Sequence, residues 1–330
     1  MLSYLRDNKA KHKTKEKAFL NNGAAVLEQL LKSFNGNCNP IRMYSIKELN
    51  EATHNFQFDG LICRDALYSM YKGFYRDHQV LVKEFLSHRR VGHLELIANE
   101  VAIASQMSKH KNVLKLLGCS LESELPMLVY EFPAKGNLSS YVDGDGEKLP
   151  WESKLKIANE LANAIAYLHH GLSKTIIHRD IKCGHMFLDE EFVPKLSEFQ
   201  VALPIPEGKT HVEADVFSTQ GVIAPELFLK GRYTKMSDAF SFGILVCEVL
   251  TGKKRCDMEC ADQVQEAGTW EETFIAKLCE TCLEANVLEE EKRVQVMECA
   301  KLLESCLKEN PDRRPNMIQV AKSLRYIRTI

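Results

Sequence analysis

The sequence predicts an α+β protein of two lobes, a small β-rich half followed by a larger helical half. Residues 57–131 carry strand-like apolar runs around a single helical stretch, and beyond Gly136 the apolar spacing becomes helical. The chain has 330 residues, 45% of them hydrophobic, enough to bury a sizeable core in one two-lobed domain or two ordinary ones. The division this predicts is a helical extension over 1–56, a small lobe over 57–131 and a large lobe over 132–330.

Each element has a local reason. Residues 1–20 are polar and basic, with Arg6, Lys9, Lys11, Lys13, Lys15 and Lys17, and read as the solvated start of a helix. From Phe19 to Phe34 apolar residues recur at helical spacing, and Asn35-Gly36 suits a left-handed cap. Tyr44 to Thr53 reads as a short helix with Ser45 as N-cap and Glu48 completing a capping box. Tyr68–Tyr75 and Gln79–Phe85 read as a hairpin turning near Arg76-Asp77-His78. A helix over Leu94–Met107 follows, then strands over Val113–Leu121 and Pro126–Phe132. The large lobe is predicted to hold helices at Trp151–His169, Asp238–Leu250, Phe274–Ala285, Arg293–Leu307 and Met317–Tyr326.

Composition excludes several functions. A formal net charge of −2 argues against nucleic acid as the main partner, because phosphate binding relies on excess Lys and Arg. No apolar run reaches the roughly 18 residues that span a bilayer; Phe242–Leu250 is short and contains Glu248. The first residues lack a secretory apolar region, and Leu2 stands where myristoylation needs Gly. The basic start could touch an anionic membrane at about 1 kcal/mol per charge, so membrane contact is peripheral at most. Eleven cysteines, an odd and scattered set, read as reduced thiols of a cytosolic protein. Cys279 and Cys282 form a CxxC pair with no second pair at zinc spacing, and read as two positions on a helix.

A series of motifs then appears in fixed order. Lys83 ends Val80-Leu81-Val82-Lys83 in the second hairpin strand, and Glu100 lies seventeen residues on, in the following helix. His178-Arg179-Asp180-Ile181-Lys182 is followed by the strand-like Met186-Phe187-Leu188-Asp189. Glu198-Phe199-Gln200 comes eighteen residues after Asp180 and lies upstream of Ala224-Pro225-Glu226. This order and spacing resemble the signature set of the protein kinases over about residues 57–330. Further matches are Tyr44 to Phe56, Lys115-Leu116-Leu117-Gly118-Cys119, Leu128-Val129-Tyr130-Glu131-Phe132, Ser241-Phe242-Gly243 and Arg314-Pro315. These are most similar to the plant receptor-like cytoplasmic kinases related to Pelle and the interleukin-receptor-associated kinases.

The resemblance implies a protein-kinase-like fold and assigns roles. Asp180 takes the position of the general base, and Lys83, held by Glu100, that of the lysine on the α- and β-phosphates of ATP. Tyr130 takes the gatekeeper position, and Glu131 with Phe132 the adenine-contacting hinge. Glu226 with Arg314 and Asp238 take framework roles.

The departures cluster on one object, the metal–phosphate unit. Aligning Tyr71-Lys72 on the Tyr-Lys after the glycine-rich loop puts Cys63, Asp65 and Tyr68 at its three glycine positions. That loop needs glycine so that backbone N–H groups approach the phosphates. Asp65 would add repulsion of about 4 kcal/mol at 4 Å and an effective dielectric of 20. His185 stands where the second magnesium ligand, an Asn, is expected, and imidazole is a poor magnesium ligand. Glu198 keeps the carboxylate of the other ligand position but is one methylene longer, and Gln200 replaces a glycine. The expectation is weak ATP binding and poor retention of magnesium or manganese.

Within the plant group, these features resemble the zed-related (ZRK-type) pseudokinase subfamily. The resemblance implies an adaptor in innate immunity that binds a coiled-coil NLR receptor. It would sense a pathogen effector, such as an acetyltransferase, or other receptor-like cytoplasmic kinases that an effector has modified. The implied location is cytoplasmic, or peripheral at the plasma membrane. The activation segment Glu198–Glu226, with Thr210, Ser218 and Thr219, is the expected sensing element. The alternative is an active Ser/Thr kinase with atypical metal handling, which Asp180, Lys83 and Lys182 favour.

Overall fold

The computed structural model describes residues 2–34, 40–86, 93–142, 148–216, 223–254 and 290–330. Two compact units are present, one of residues 1–134 with 199–201 and one of 135–198 with 202–330. Ser218, Thr219, Cys279, Cys282 and the predicted helix Phe274–Ala285 lie outside the described residues.

The first unit contains, in chain order, α1 (Leu2–Phe34), β1 (Arg42–Met43), α2 (Ile46–Ala52), β2 (Leu61–Arg64), β3 (Tyr68–Tyr75), β4 (His78–Phe85), α3 (His93–Met107), β5 (Leu116–Ser120) and β6 (Met127–Glu131). The six strands form one sheet in the order β1-β5-β6-β4-β3-β2. Only β1 and β5 pair in parallel; every other pairing is antiparallel. The β3–β4 ladder runs without interruption from Tyr68 opposite Phe85 to Tyr75 opposite His78. Its turn residues Arg76 and Asp77 both have positive φ, at 45° and 65°, the mark of a primed turn that matches strand twist.

Residues 1–56, read from sequence as an extension, belong to the same compact unit as the sheet. α1 starts at Leu2, so the basic residues are helical, in line with their reading as the start of a helix. α1 packs against α3, and the Asn22 amide donates to the carbonyls of Leu121 and Ser123 at 3.0 and 2.9 Å. Strand β1 was not predicted, since two residues carry no period. It lies on β5 because position 118 is glycine: a Cβ there would stand 2.0 Å from the Arg42 carbonyl oxygen. The capping box of α2 is complete, with Ser45 N–H donating to Glu48 at 2.8 Å and Glu48 N–H to the Ser45 hydroxyl at 3.2 Å. Glu48 also accepts from Arg42 and from the Tyr75 hydroxyl, each at 2.9 Å. The Ser45 N–H first, then the hydroxyls and Arg42, hold the Glu48 carboxyl down at about 2.

The second unit contains β7 (Gly136–Asn137), α4 (Trp151–His170), β8 (Ile176–Ile177), β9 (Met186–Leu188), β10 (Pro194–Leu196), β11 (Leu203–Pro204), β12 (Val212–Glu213), α5 (Pro225–Lys230), β13 (Arg232–Tyr233), α6 (Lys235–Thr251), α7 (Glu290–Cys306) and α8 (Met317–Ile327). Leu155, Ala158, Leu161, Ala162, Ile165 and Leu168 form a buried stripe on α4, which packs against α6 and α8. α6 starts at the N-cap Thr234 and stops at Gly252, which is left-handed at φ 69°. Among the described residues no helix is long and apolar enough to cross a membrane.

Candidate functional site

The candidate site residues fall into two sets, one in each unit. In the first unit, the antiparallel ladder puts Tyr68 opposite Phe85 and Met70 opposite Lys83. Side chains two apart on a strand share a face, so all four project to the same side of the sheet. All four are buried, with Lys83 and Glu100 both at 0% exposure. The Lys83 ammonium donates to both oxygens of Glu100 on α3, at 2.8 and 3.0 Å. Glu100 also accepts from the Tyr130 hydroxyl at 2.6 Å. The same ammonium lies 4.1 Å from the centre of the Tyr68 ring and 4.9 Å from that of Phe85. A desolvated cation over an aromatic face gains about 2 kcal/mol. The charge of Lys83 is therefore met by one carboxylate and two rings, all supplied by the chain itself.

The hairpin at the three positions that the resemblance aligns with loop glycines takes an ordinary conformation. No residue from 57 to 75 has positive φ, so the segment makes no use of glycine's freedom. The Asp65 N–H donates to the Tyr68 carbonyl at 2.9 Å, which closes a tight turn. Asp65 is exposed on that turn and Cys63 is half-buried in β2, while Tyr68 turns inward. Of the three replacements, Tyr68 is the one brought to Lys83.

The strand end at Glu131-Phe132 also differs from a ligand-ready edge. The Glu131 N–H donates to the Lys115 carbonyl at 3.0 Å, and its carboxylate accepts from the Lys115 N–H at 3.1 Å. Pro133 has no N–H to offer. The Phe132 ring stacks 4.9 Å from the Lys72 ammonium.

In the second unit, Asp238 on α6 organises the loop around Asp180. Its two oxygens accept from the backbone N–H groups of His178 and Arg179, at 2.8 and 2.9 Å. The second of these supports Arg179 in a left-handed backbone, φ 73°. The Arg179 guanidinium lies 4.2 Å from the Tyr233 ring centre and donates to the Asp215 carbonyl. His178 is fully buried, and burial pushes its imidazole below the usual range. Asp180 is approached by the Lys182 ammonium at 3.3 Å and the His185 ring at 3.5 Å. Arg314 forms two parallel bonds to Glu226, at 2.9 and 2.8 Å, and lies 4.8 Å from the Phe240 ring centre.

The two metal positions are altered in different ways. The Nδ1 of buried His185 lies 2.9 Å from the Asp180 carbonyl oxygen, so this ring edge faces the loop's own backbone. Glu198 is buried and left-handed at φ 64°, whereas Gln200 has no positive φ. Position 200 thus makes no demand for glycine; the strained residue is Glu198. A left-handed residue with Cβ costs about 1–2 kcal/mol, least for Asn and Asp, so the Asp-to-Glu change falls where the longer side chain fits the backbone worse. Magnesium asks for hard oxygen donors in octahedral array, which the Glu198 carboxylate can supply and the His185 imidazole, turned to a carbonyl, does not. Among the described residues no group of three or more His, Cys, Asp or Glu stands ready for another metal.

Sequence reasoning missed Asn99. The residue before Glu100 on α3, it donates to the carbonyls of Phe199 and Gln200 at 3.3 and 3.0 Å and fixes the backbone of the triplet. A buried Asn amid the apolar Ile97-Ala98 and Val101-Ala102 was the available signal.

This set of buried pairs, anchored loop and ordered motifs defines a protein kinase fold. The chain belongs to the protein tyrosine and serine/threonine kinase family, whose model matches residues 60–324, and within it to the ZRK-type kinases. It is 35% identical to "Serine/threonine-protein kinase ZRK1" of Arabidopsis thaliana, over 98% of this chain and 97% of that protein. It is 34% identical to "Non-functional pseudokinase ZRK2" of the same plant, over 98% of this chain and 94% of the relative. Identity to "Non-functional pseudokinase ZED1" is 38%, over 73% of this chain and 72% of the relative. Kinase domains of this family are built for ATP in general, and the departures described above concern how this chain meets it.

Proposed function

We propose that this chain is a pseudokinase adaptor of plant innate immunity. It would bind a coiled-coil NLR receptor and sense a pathogen effector or an effector-modified kinase. The observation that carries this reading is a contrast. The framework bonds Asp238–His178/Arg179 and Glu226–Arg314 are intact, while the phosphate and metal positions Cys63, Asp65, Tyr68, His185 and Glu198 are all replaced. Phosphoryl transfer depends almost wholly on positioning phosphates and neutralising them with metal. A misplacement of about 1 Å costs about a hundredfold in rate.

Two further features support a binding role. Two of the three relatives are named non-functional pseudokinases. On α1, Leu20, Leu27 and Leu31 are 69%, 56% and 54% exposed. They fall within about 40° of one line along the helix. Contiguous exposed apolar residues mark interaction surfaces.

Purified chain is incubated with ATP, Mg²⁺ or Mn²⁺ and a generic protein substrate, and co-purified with candidate receptors. The expected result is no turnover above background and capture of a receptor that Leu27→Glu abolishes. Robust turnover that Asp180→Asn removes would favour the second reading, an active Ser/Thr kinase. That reading draws on the retained Lys83–Glu100 pair, on Lys182 3.3 Å from Asp180, and on the kinase name of one relative.

A further inference from the structure

We infer that Tyr68 is a specificity-determining residue that seals the Lys83 ammonium against nucleoside polyphosphates, by supplying its own ring where a phosphate would otherwise neutralise the charge. The inference deepens the pseudokinase reading but stands on the geometry around Lys83 alone.

A lysine can serve a phosphate only if its ammonium offers charge and N–H donors toward open space. Lys83 has 0% exposure, both Glu100 oxygens lie within 3.0 Å, and the Tyr68 ring centre is 4.1 Å away. Tyr68 is itself buried and wedged edge-on against Phe85, with ring centres 6.1 Å apart. Its placement is dictated by register. Tyr68 pairs with Phe85, and Lys83 is the diagonal neighbour on the same face, within reach of an aromatic side chain. The hairpin carrying it closes through Asp65 N–H to Tyr68 O at 2.9 Å, and the Leu86 N–H bonds the Leu67 carbonyl at 2.9 Å. Both ends of the residue are therefore tied to the sheet. A polyphosphate would have to displace the ring, break the edge contact with Phe85 and open this turn before it met the lysine. A ligand without phosphates makes no such demand.

The test has two arms. In the first, the parent chain is treated with acetic anhydride and its lysines are mapped by mass spectrometry. Lys83 is expected to stay unmodified while the exposed Lys47 reacts; equal labelling of the two would overturn the proposal. In the second, binding of ATP, ADP and adenosine is measured by calorimetry and thermal shift, without metal and with Mg²⁺. The parent chain is expected to show no Lys83-dependent response to ATP. Tyr68→Gly is expected to bind ATP at least tenfold more tightly than the parent, with adenosine unchanged and the gain lost in Tyr68→Gly/Lys83→Met. No gain in a folded Tyr68→Gly, or parent binding of ATP that Lys83→Met abolishes, would sink the idea. If Tyr68→Gly does not fold, the labelling arm still decides. Both arms read the isolated chain, so failure to capture a receptor would count against the adaptor role and leave them untouched.

Discussion

Each unit holds an ion pair with a buried cation; Glu100 is buried with Lys83, whereas Glu226 beside Arg314 is half-buried. In the first unit Lys83 meets Glu100 at 2.8 Å; in the second Arg314 meets Glu226 at 2.8 Å. In each, aromatic rings cover the cation, Tyr68 and Phe85 over Lys83 and Phe240 over Arg314. Arg314 also donates to the carbonyls of Lys308, Met236 and Glu309, the work of a residue that ties segments together. By family role one pair belongs to the substrate and the other to the framework. In this chain both are internally satisfied. The difference lies in what completes each cation's shell: two aromatic rings beside one carboxylate at Lys83, and one ring with three backbone carbonyls beside one carboxylate at Arg314.

The largest effect that would test this equivalence is at Arg314. Arg314→Ala leaves the Glu226 carboxylate with its main partner gone and removes a donor from three carbonyls, and is expected to cost about 3–5 kcal/mol in denaturant unfolding. Lys83→Ala is expected to cost a similar or slightly smaller amount, about 3–4 kcal/mol, because it strands a buried Glu100. The double variant Lys83→Met/Glu100→Leu is expected to return to within about 1 kcal/mol of the parent, since well-packed apolar replacements of buried pairs are often neutral. A double variant as unstable as Lys83→Ala would break the equivalence.

Tyr130→Phe sharpens it. The change removes one hydrogen bond to Glu100 and nothing comparable at Glu226, with an expected loss of about 1 kcal/mol in the same unfolding experiment. The smallest effect is at Arg42–Glu48, a partly exposed pair that serves as the control, worth about 0.5–1 kcal/mol at neutral pH. The Glu48 carboxyl titrates at about 2 in the folded chain, below its ordinary 4.5. Its contribution is therefore present above about pH 4.5 and is lost as pH falls toward 2. Glu48→Gln is expected to flatten the acid limb of the Tm–pH curve in that window; an unchanged limb would show that the cap bears no charge-dependent load.

Local signals accounted for much of the framework. The capping box at Ser45 and Glu48, the hairpin about Arg76-Asp77 and the helices α3, α4 and α8 were legible because caps, turns and periods are properties of neighbours in the chain. The order of Lys83, Glu100, Asp180, Glu226, Asp238 and Arg314 was legible as motif. Other features arose from contacts distant in sequence. Strand β1 exists because Gly118 lets Arg42 approach, Asn22 fastens α1 to residues 121 and 123, and Asn99 reaches residues a hundred positions away.

The sequence by itself determined which residues stand at the positions that the kinase resemblance assigns to loop glycines and metal ligands, because identity is all that such a statement requires. It set Asp65 beside Tyr68 at glycine positions and Gln200 at another. Tertiary structure decided where those side chains lie. The register of β3 and β4 laid the Tyr68 ring on Lys83, Asp65 sits exposed on the turn before β3, and the left-handed backbone fell on Glu198. Which face a side chain takes depends on pairing across the sheet, and a one-residue slip of that register would have sent the tyrosine to the other side.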